Sequence, residues 1–195
     1  VLQDVPTALN PPRDGGTHGD ARLYIHDFLL KNPPAIDEKA LLPHVQMIED
    51  AIAAVLTGQH EDDSFNQLVL FTQQEPQTIC WLRAWFRFLR QGGFLYGMDT
   101  VVGALRSAPE LTNKLIRLFR ALHDPKAADE ATAAQLQPEI EAAFADIQSI
   151  DEDRIFRLYL AVINATLRTN AFAPAAEEAL AFKLDSSLIP GLPKP

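Results

Sequence analysis

Ile79-Cys80-Trp81-Leu82-Arg83-Ala84-Trp85-Phe86-Arg87-Phe88-Leu89-Arg90 is the most apolar stretch of the chain. Its large apolar residues do not alternate, which rules out a half-buried strand. Ile79, Leu82, Phe86 and Leu89 follow the 3, 4, 3 spacing of a helix stripe, and Trp81, Trp85 and Phe88 widen it. Arg83, Arg87 and Arg90 recur at 4 and 3 on another side. Pro76 suits the first helical position after Glu75, and Gly92-Gly93 stops the run. Seven large apolar side chains would contribute about 1.5–3 kcal/mol each when fully buried. Ordering the backbone costs about 1–2 kcal/mol per residue. The two nearly cancel, so this helix needs neighbours, and the sequence offers other amphipathic helices for that purpose.

On the N-terminal side, Val1–Pro6 and Arg22–Leu30 read as the only strands, separated by the polar loop Asn10–Gly19. A two-stranded ribbon is rarely stable alone, so this pair is expected to pack on the helices or to pair with another copy. From Ile36 the chain turns helical. Pro43 is expected to start a helix with Val45, Ile48, Ile52 and Val55 inward, ending at Gly58. Asp62 or Asp63 caps the next, with Phe65, Leu68, Val69 and Phe71 inward.

On the C-terminal side, a short helix is expected around Met98–Leu105. Ser107-Ala-Pro-Glu110 and Ser149-Ile-Asp-Glu152 have the form of capping boxes. The first opens a helix with Leu111, Leu115, Leu118 and Leu122 on one side. Asp124-Pro125 is expected to start an Ala-rich acidic arm exposed to solvent, which Pro138 should break or kink. The second box opens a helix lined by Ile155, Leu158, Val162 and Ala165, running to Arg168–Asn170. Ala171–Ala181 reads as a linker, Phe182–Leu184 as extended, and Ser186–Pro195 as an extended tail.

The chain is thus expected to be mainly α, an irregular bundle of about six or seven helices with a short N-terminal β-hairpin remnant and an extended C-terminal tail. The expected division is 1–35 for the hairpin, 36–170 for the helical domain and 171–195 for the linker. Val1 opens inside an apolar segment and Pro195 closes a Pro-rich run, which reads as a piece of something longer.

Composition narrows the function. Apolar residues make up 47% of the 195, as in a globular protein, and the net charge is −9. That balance argues against nucleic acid, which needs clustered Lys and Arg. Acidic partners within the same fold suit the arginines of the Trp-rich helix better. Cys80, the one cysteine, sits among apolar residues and reads as a buried, inert thiol. No apolar run has membrane-spanning length and no signal peptide heads the chain, which suggests a cytoplasmic protein with no membrane partner.

No pair among His18, His26, His44, His60 and His123 has the spacing of two ligands on one helix face, so no metal site is expected. Nucleotide-binding glycine motifs and a nucleophile elbow are missing from the sequence. Asp151, Glu152 and Asp153 fall in a first helical turn, where the helix dipole favours negative charge. Asn164-Ala-Thr166 has the form of a glycosylation acceptor but lies mid-helix. No catalytic, cofactor-binding or metal residue is therefore assigned. The candidate interdomain contacts are Arg83, Arg87, Arg90, Arg154, Arg168, Asn170 and Lys183. Arg157 lies on the same helix as Arg154.

Two stretches carry a specific resemblance. Trp81-Leu-Arg-Ala-Trp-Phe-Arg-Phe-Leu-Arg-Gln91 resembles the LRAYxxYLRQ signature of the large bacterial NAD-specific glutamate dehydrogenases, with Trp85 and Phe88 in place of tyrosines. Ile150-Asp-Glu-Asp-Arg154 with Asn164-Ala-Thr-Leu-Arg-Thr-Asn170 resembles that family's SLDEDR…NATLRTN run. Ile25–Phe28, Asp62–Val69, Ala108–Leu111, Phe182–Asp185 and Ile189–Pro195 fit in the same order. The resemblance implies a homo-oligomeric parent enzyme that oxidises L-glutamate with NAD, with ACT-like regulatory domains upstream and the catalytic domain downstream. It places this segment between them as a helical connector that binds no NAD itself, its partners being those domains of the same chain. The alternatives are an independent all-helical interaction module presenting Arg83, Arg87 and Arg90 to an acidic partner, and a small enzyme in its own right.

Overall fold

The computed structural model describes residues 3–9, 23–29, 42–176 and 179–192. The chain divides into two units, Val1–Leu42 and Pro43–Pro195. In the first, β1 (Gln3–Leu9) pairs antiparallel with β2 (Leu23–Leu29), Pro6 lying opposite His26. The first strand therefore runs through Pro6 and on to Leu9, beyond the expected Val1–Pro6. A two-stranded ribbon has only edges, so a residue without an N–H can be accommodated. The loop at 10–19 and the turn expected near Ile36 and Asp37 lie outside the described residues, as does the end of the tail.

The second unit carries seven α-helices among the described residues. These are α1 (Val45–Leu56), α2 (Leu68–Thr72), α3 (Pro76–Gln91), α4 (Met98–Ser107), α5 (Pro109–His123), α6 (Glu130–Ala143) and α7 (Ile150–Ala165). The chain is mainly helical, as its periodicity requires.

Helix α3 is the centre. Ile79, Trp81, Leu82, Trp85, Phe86 and Leu89 are all buried. Trp85 meets Phe119 of α5 edge-on at 5.0 Å and Tyr159 of α7 at 6.1 Å, while Trp81 meets Phe119 at 5.1 Å. Edge-to-face contacts of this kind add to the area effect of burying the rings. The α7 stripe is buried as its spacing predicts, from Ile155 to Ala165, and Ser149 caps that helix by accepting from the Glu152 N–H.

Several expectations are corrected. Helix α1 buries only Ala54, and its packing side is Met47-Ala51-Ala54; Val45 is exposed and Ile48, Ile52 and Val55 are half-buried. Ser107 is not an N-cap. Its hydroxyl donates back to the Ala104 carbonyl at 2.8 Å, closing α4, and α5 starts at Pro109 with no side-chain cap. Leu122 is exposed at the end of the α5 stripe.

The Ala-rich arm is solvated on one face only. Helix α6 packs along α5 and buries Ala133, Leu136 and Ile140, and it is capped by Asp129 instead of starting at Asp124. Pro138 lies inside α6, which continues unbroken to Ala143. Helix α7 ends at Ala165, and Thr166–Thr169 is a strand, β3, paired antiparallel with β4 (Phe182–Leu184). Only the presence of β4 makes β3 favourable. Thr166, Leu167 and Thr169 suit either conformation locally, and the ladder bonds decide.

Candidate functional site

Three of the candidate interdomain contacts, Arg83, Arg87 and Arg90, lie on α3, and the fold separates them. Arg83 is buried, at 4% exposure. Its Nε donates to Asp63 Oδ2 at 2.6 Å, and its Nη2 donates to Asp63 Oδ1 and Asn66 Oδ1, each at 2.9 Å. Burial pulls the guanidinium pKa down, but the Asp63 carboxylate outweighs it and the net shift is upward. Asp63 also caps its own helical turn by accepting from the Phe65 N–H at 3.0 Å. One carboxylate thus ends a loop and neutralises a buried cation. Arg87 pairs with Glu61 at the surface. Arg90 donates to the carbonyls of Phe94 and Tyr96 at 3.1 and 3.4 Å, holding the loop after α3.

Arg83 and Arg87 form one wall of an open groove of about 480 Å³, lined also by Gln59, His60, Gln77, Cys80 and Phe182. Cys80 is half-buried. Burial pushes its thiol pKa up, against the opposing pull of Arg83. Burial, and secondarily Arg83, holds His60 below the usual imidazole value. A protonated thiol and a neutral imidazole give the groove no activated nucleophile. Among the described residues no group of three or more His, Cys, Asp and Glu could hold a metal ion. No described helix is long and apolar enough to cross a membrane.

The remaining candidates lie elsewhere. Arg154 is exposed on α7, beside Tyr96, whose hydroxyl donates to Asp151 Oδ1 at 2.5 Å. Arg157 is held by Asp153 one turn back at 2.8 Å. Asn170 clamps the loop between β3 and β4. Its Nδ2 donates to the Ala179 carbonyl and its Oδ1 accepts from the Ala181 N–H, both at 2.7 Å. Arg168 and Lys183 are opposite each other in the β3–β4 register, and both are exposed. Like charges directly opposite across a ladder repel. The sequence reading missed this juxtaposition, because the pairing of β3 with β4 is not written in either segment alone. It also missed Asp63 and Glu61 as the partners of Arg83 and Arg87.

Comparison with known proteins bears on the whole chain. The family model for glutamate dehydrogenase helical motif 3 matches residues 60–125, and that for the catalytic domain of bacterial NAD-glutamate dehydrogenase matches 139–195. The chain is 35% identical over 209 residues to the NAD-specific glutamate dehydrogenase of Mycobacterium tuberculosis, a match covering 100% of this chain and 12% of that protein. Against the Halomonas elongata enzyme of the same name it is 32% identical over 181 residues, covering 90% of this chain and 11% of that protein. Against the Pseudomonas aeruginosa enzyme it is 31% identical over 188 residues, covering 91% and 12%. The chain therefore spans only 11–12% of the length of these curated relatives, and it belongs, as a segment, to the family of bacterial NAD-specific glutamate dehydrogenases.

Proposed function

We propose that this chain is a non-catalytic helical segment of a larger NAD-dependent glutamate dehydrogenase, and that it positions regulatory domains against the catalytic core. The full protein would transfer a hydride from L-glutamate to NAD, and water would release 2-oxoglutarate and ammonia. On this reading residues 1–35 are the remnant of an ACT-like domain, 36–170 the connector, and 171–195 the lead into the rest of the catalytic part. The full protein is a cytoplasmic homo-oligomer, and the partners of this segment are the other domains of its own polypeptide.

The observation that supports it is the single core built from both matched regions. Trp85 and Phe119 come from the helical-motif match, Tyr159 from the catalytic-domain match, and all three are fully buried against one another. A dry core packed at interior density transmits displacement in place of absorbing it. That is what a positioning segment requires. The exposed Arg168–Lys183 pair is the proposed contact with an acidic surface of the catalytic part.

Two measurements test this. Calorimetric titration of the purified chain with NAD, and an assay with glutamate, should both be blank; a tight nicotinamide complex or measurable glutamate oxidation would overturn the proposal. In the full-length protein, Arg168→Ala with Lys183→Ala should lower activity without lowering the melting temperature. Unchanged kinetics would remove that contact from the reading.

A further inference from the structure

The last described residues return to the end of α3. Ile189 is buried, Gly191 adopts a left-handed conformation at φ 84°, and the Leu192 N–H donates to the Ile189 carbonyl at 3.4 Å. The turn lays the Leu192 side chain on Gly92. A Cβ at position 92 would overlap Leu192 Cδ2, while its nearest backbone neighbour, the Leu89 carbonyl oxygen, would stand off at 3.4 Å. The backbone does not require glycine here, because φ −77° and ψ 3° suit any residue. What a side chain here would disturb is the leucine lying on it.

Gly92 lies in the region matching the helical motif, and Leu192 in the region matching the catalytic domain. We propose that Gly92 is a positioning residue: its bare Cα is the seat on which Leu192 docks, and the seat sets the direction in which the chain leaves the helical core toward the catalytic part. The consequence for catalysis rests on the function proposed above; the seat itself does not. An open pocket of about 320 Å³ lies alongside, lined by Leu89, Phe94, Arg154, Leu158 and Pro190. A side chain introduced at 92 therefore meets only the flexible end of Leu192, which has room to move. The result is undocking, not unfolding.

The test is a double-mutant cycle. Gly92→Ala, Leu192→Ala and the double variant are compared by amide hydrogen exchange over 188–192 and by melting temperature. Gly92→Ala should speed exchange there by about tenfold, the scale of releasing a half-buried leucine, with the melting temperature unchanged or slightly raised. Leu192→Ala should speed exchange to a similar extent. The double variant should be no faster than Leu192→Ala alone, since nothing remains for the added methyl to displace. Unchanged exchange in Gly92→Ala, or additive effects in the double variant, would overturn the seat.

Glutamate oxidation by the unsubstituted full-length protein is measured first, so that failure of the underlying reading registers by itself. Gly92→Ala should then lower kcat severalfold in that protein, and Leu192→Ala should make the further change at 92 silent. A wild-type kcat in a Gly92→Ala enzyme whose 188–192 segment exchanges fast would overturn the positioning role.

Discussion

The Tyr159 hydroxyl donates to the Leu82 carbonyl at 3.1 Å across 77 residues of sequence, with both side chains fully buried. It joins α7 to α3 at the centre of the core. Burial pushes the phenol pKa well up, so the group stays a neutral donor. Tyr159→Phe should lower stability by about 1 kcal/mol, the net value of one buried hydrogen bond. Tyr159→Ala should cost about 3–5 kcal/mol by opening a cavity. Urea unfolding would show both as a fall in midpoint at constant slope. A neutral Tyr159→Phe would mean that the contact contributes nothing beyond packing.

The two α3 ion pairs should behave oppositely. Arg83–Asp63 is nearly dry, with side chains 5% and 12% exposed, whereas Arg87–Glu61 is about half exposed on both sides. Removing one partner of a buried pair strands a charge, so Asp63→Ala should cost about 3–5 kcal/mol. Arg87→Ala should cost at most about 1 kcal/mol. Arg83→Met combined with Asp63→Leu should recover much of the single-variant loss. Thermal melts of the unsubstituted protein and these three variants would check the ordering, and equal losses at positions 63 and 87 would contradict it.

Stability should fall on mild acidification. Burial lowers the pKa of His60 and of His123 from the ordinary 6.5. The His123 Nε2 is buried without a partner. The unfolded chain therefore takes up protons that the folded chain resists, and stability is lost as pH drops below 6.5 toward the folded-state values. Above that window these two groups have no effect. His60→Gln with His123→Gln should flatten the urea midpoint between pH 7.5 and 5.5. A slope unchanged by the double substitution would place the acid sensitivity elsewhere.

Pro138 has no N–H to give to the carbonyl four residues back, yet α6 continues through it and it faces solvent. Pro138→Ala should therefore stabilise the chain, by about 1 kcal/mol or more once the lost rigidity of the unfolded chain is subtracted. A drop in melting temperature would show that α6 depends on the proline's shape.

The sequence by itself determined the elements whose signal is periodic and local. The α3 stripe, its start at Pro76 and its stop at Gly92-Gly93, and the Ser149-capped α7 with its buried face, all follow from side-chain spacing and caps within one or two turns. The likeness to glutamate dehydrogenases was legible too, because short motifs retain their order along the chain.

Only the tertiary structure decided what depends on a distant partner. Whether Thr166–Thr169 is helix or strand turns on β4, and whether the Ala-rich α6 is buried turns on α5 beside it. That Arg83 is a buried cation and not a surface one turns on Asp63, 20 residues earlier. That a side chain at position 92 would displace another one turns on Leu192, far downstream in the sequence. In each case the local sequence permits two outcomes, and a contact formed only in the folded chain selects between them.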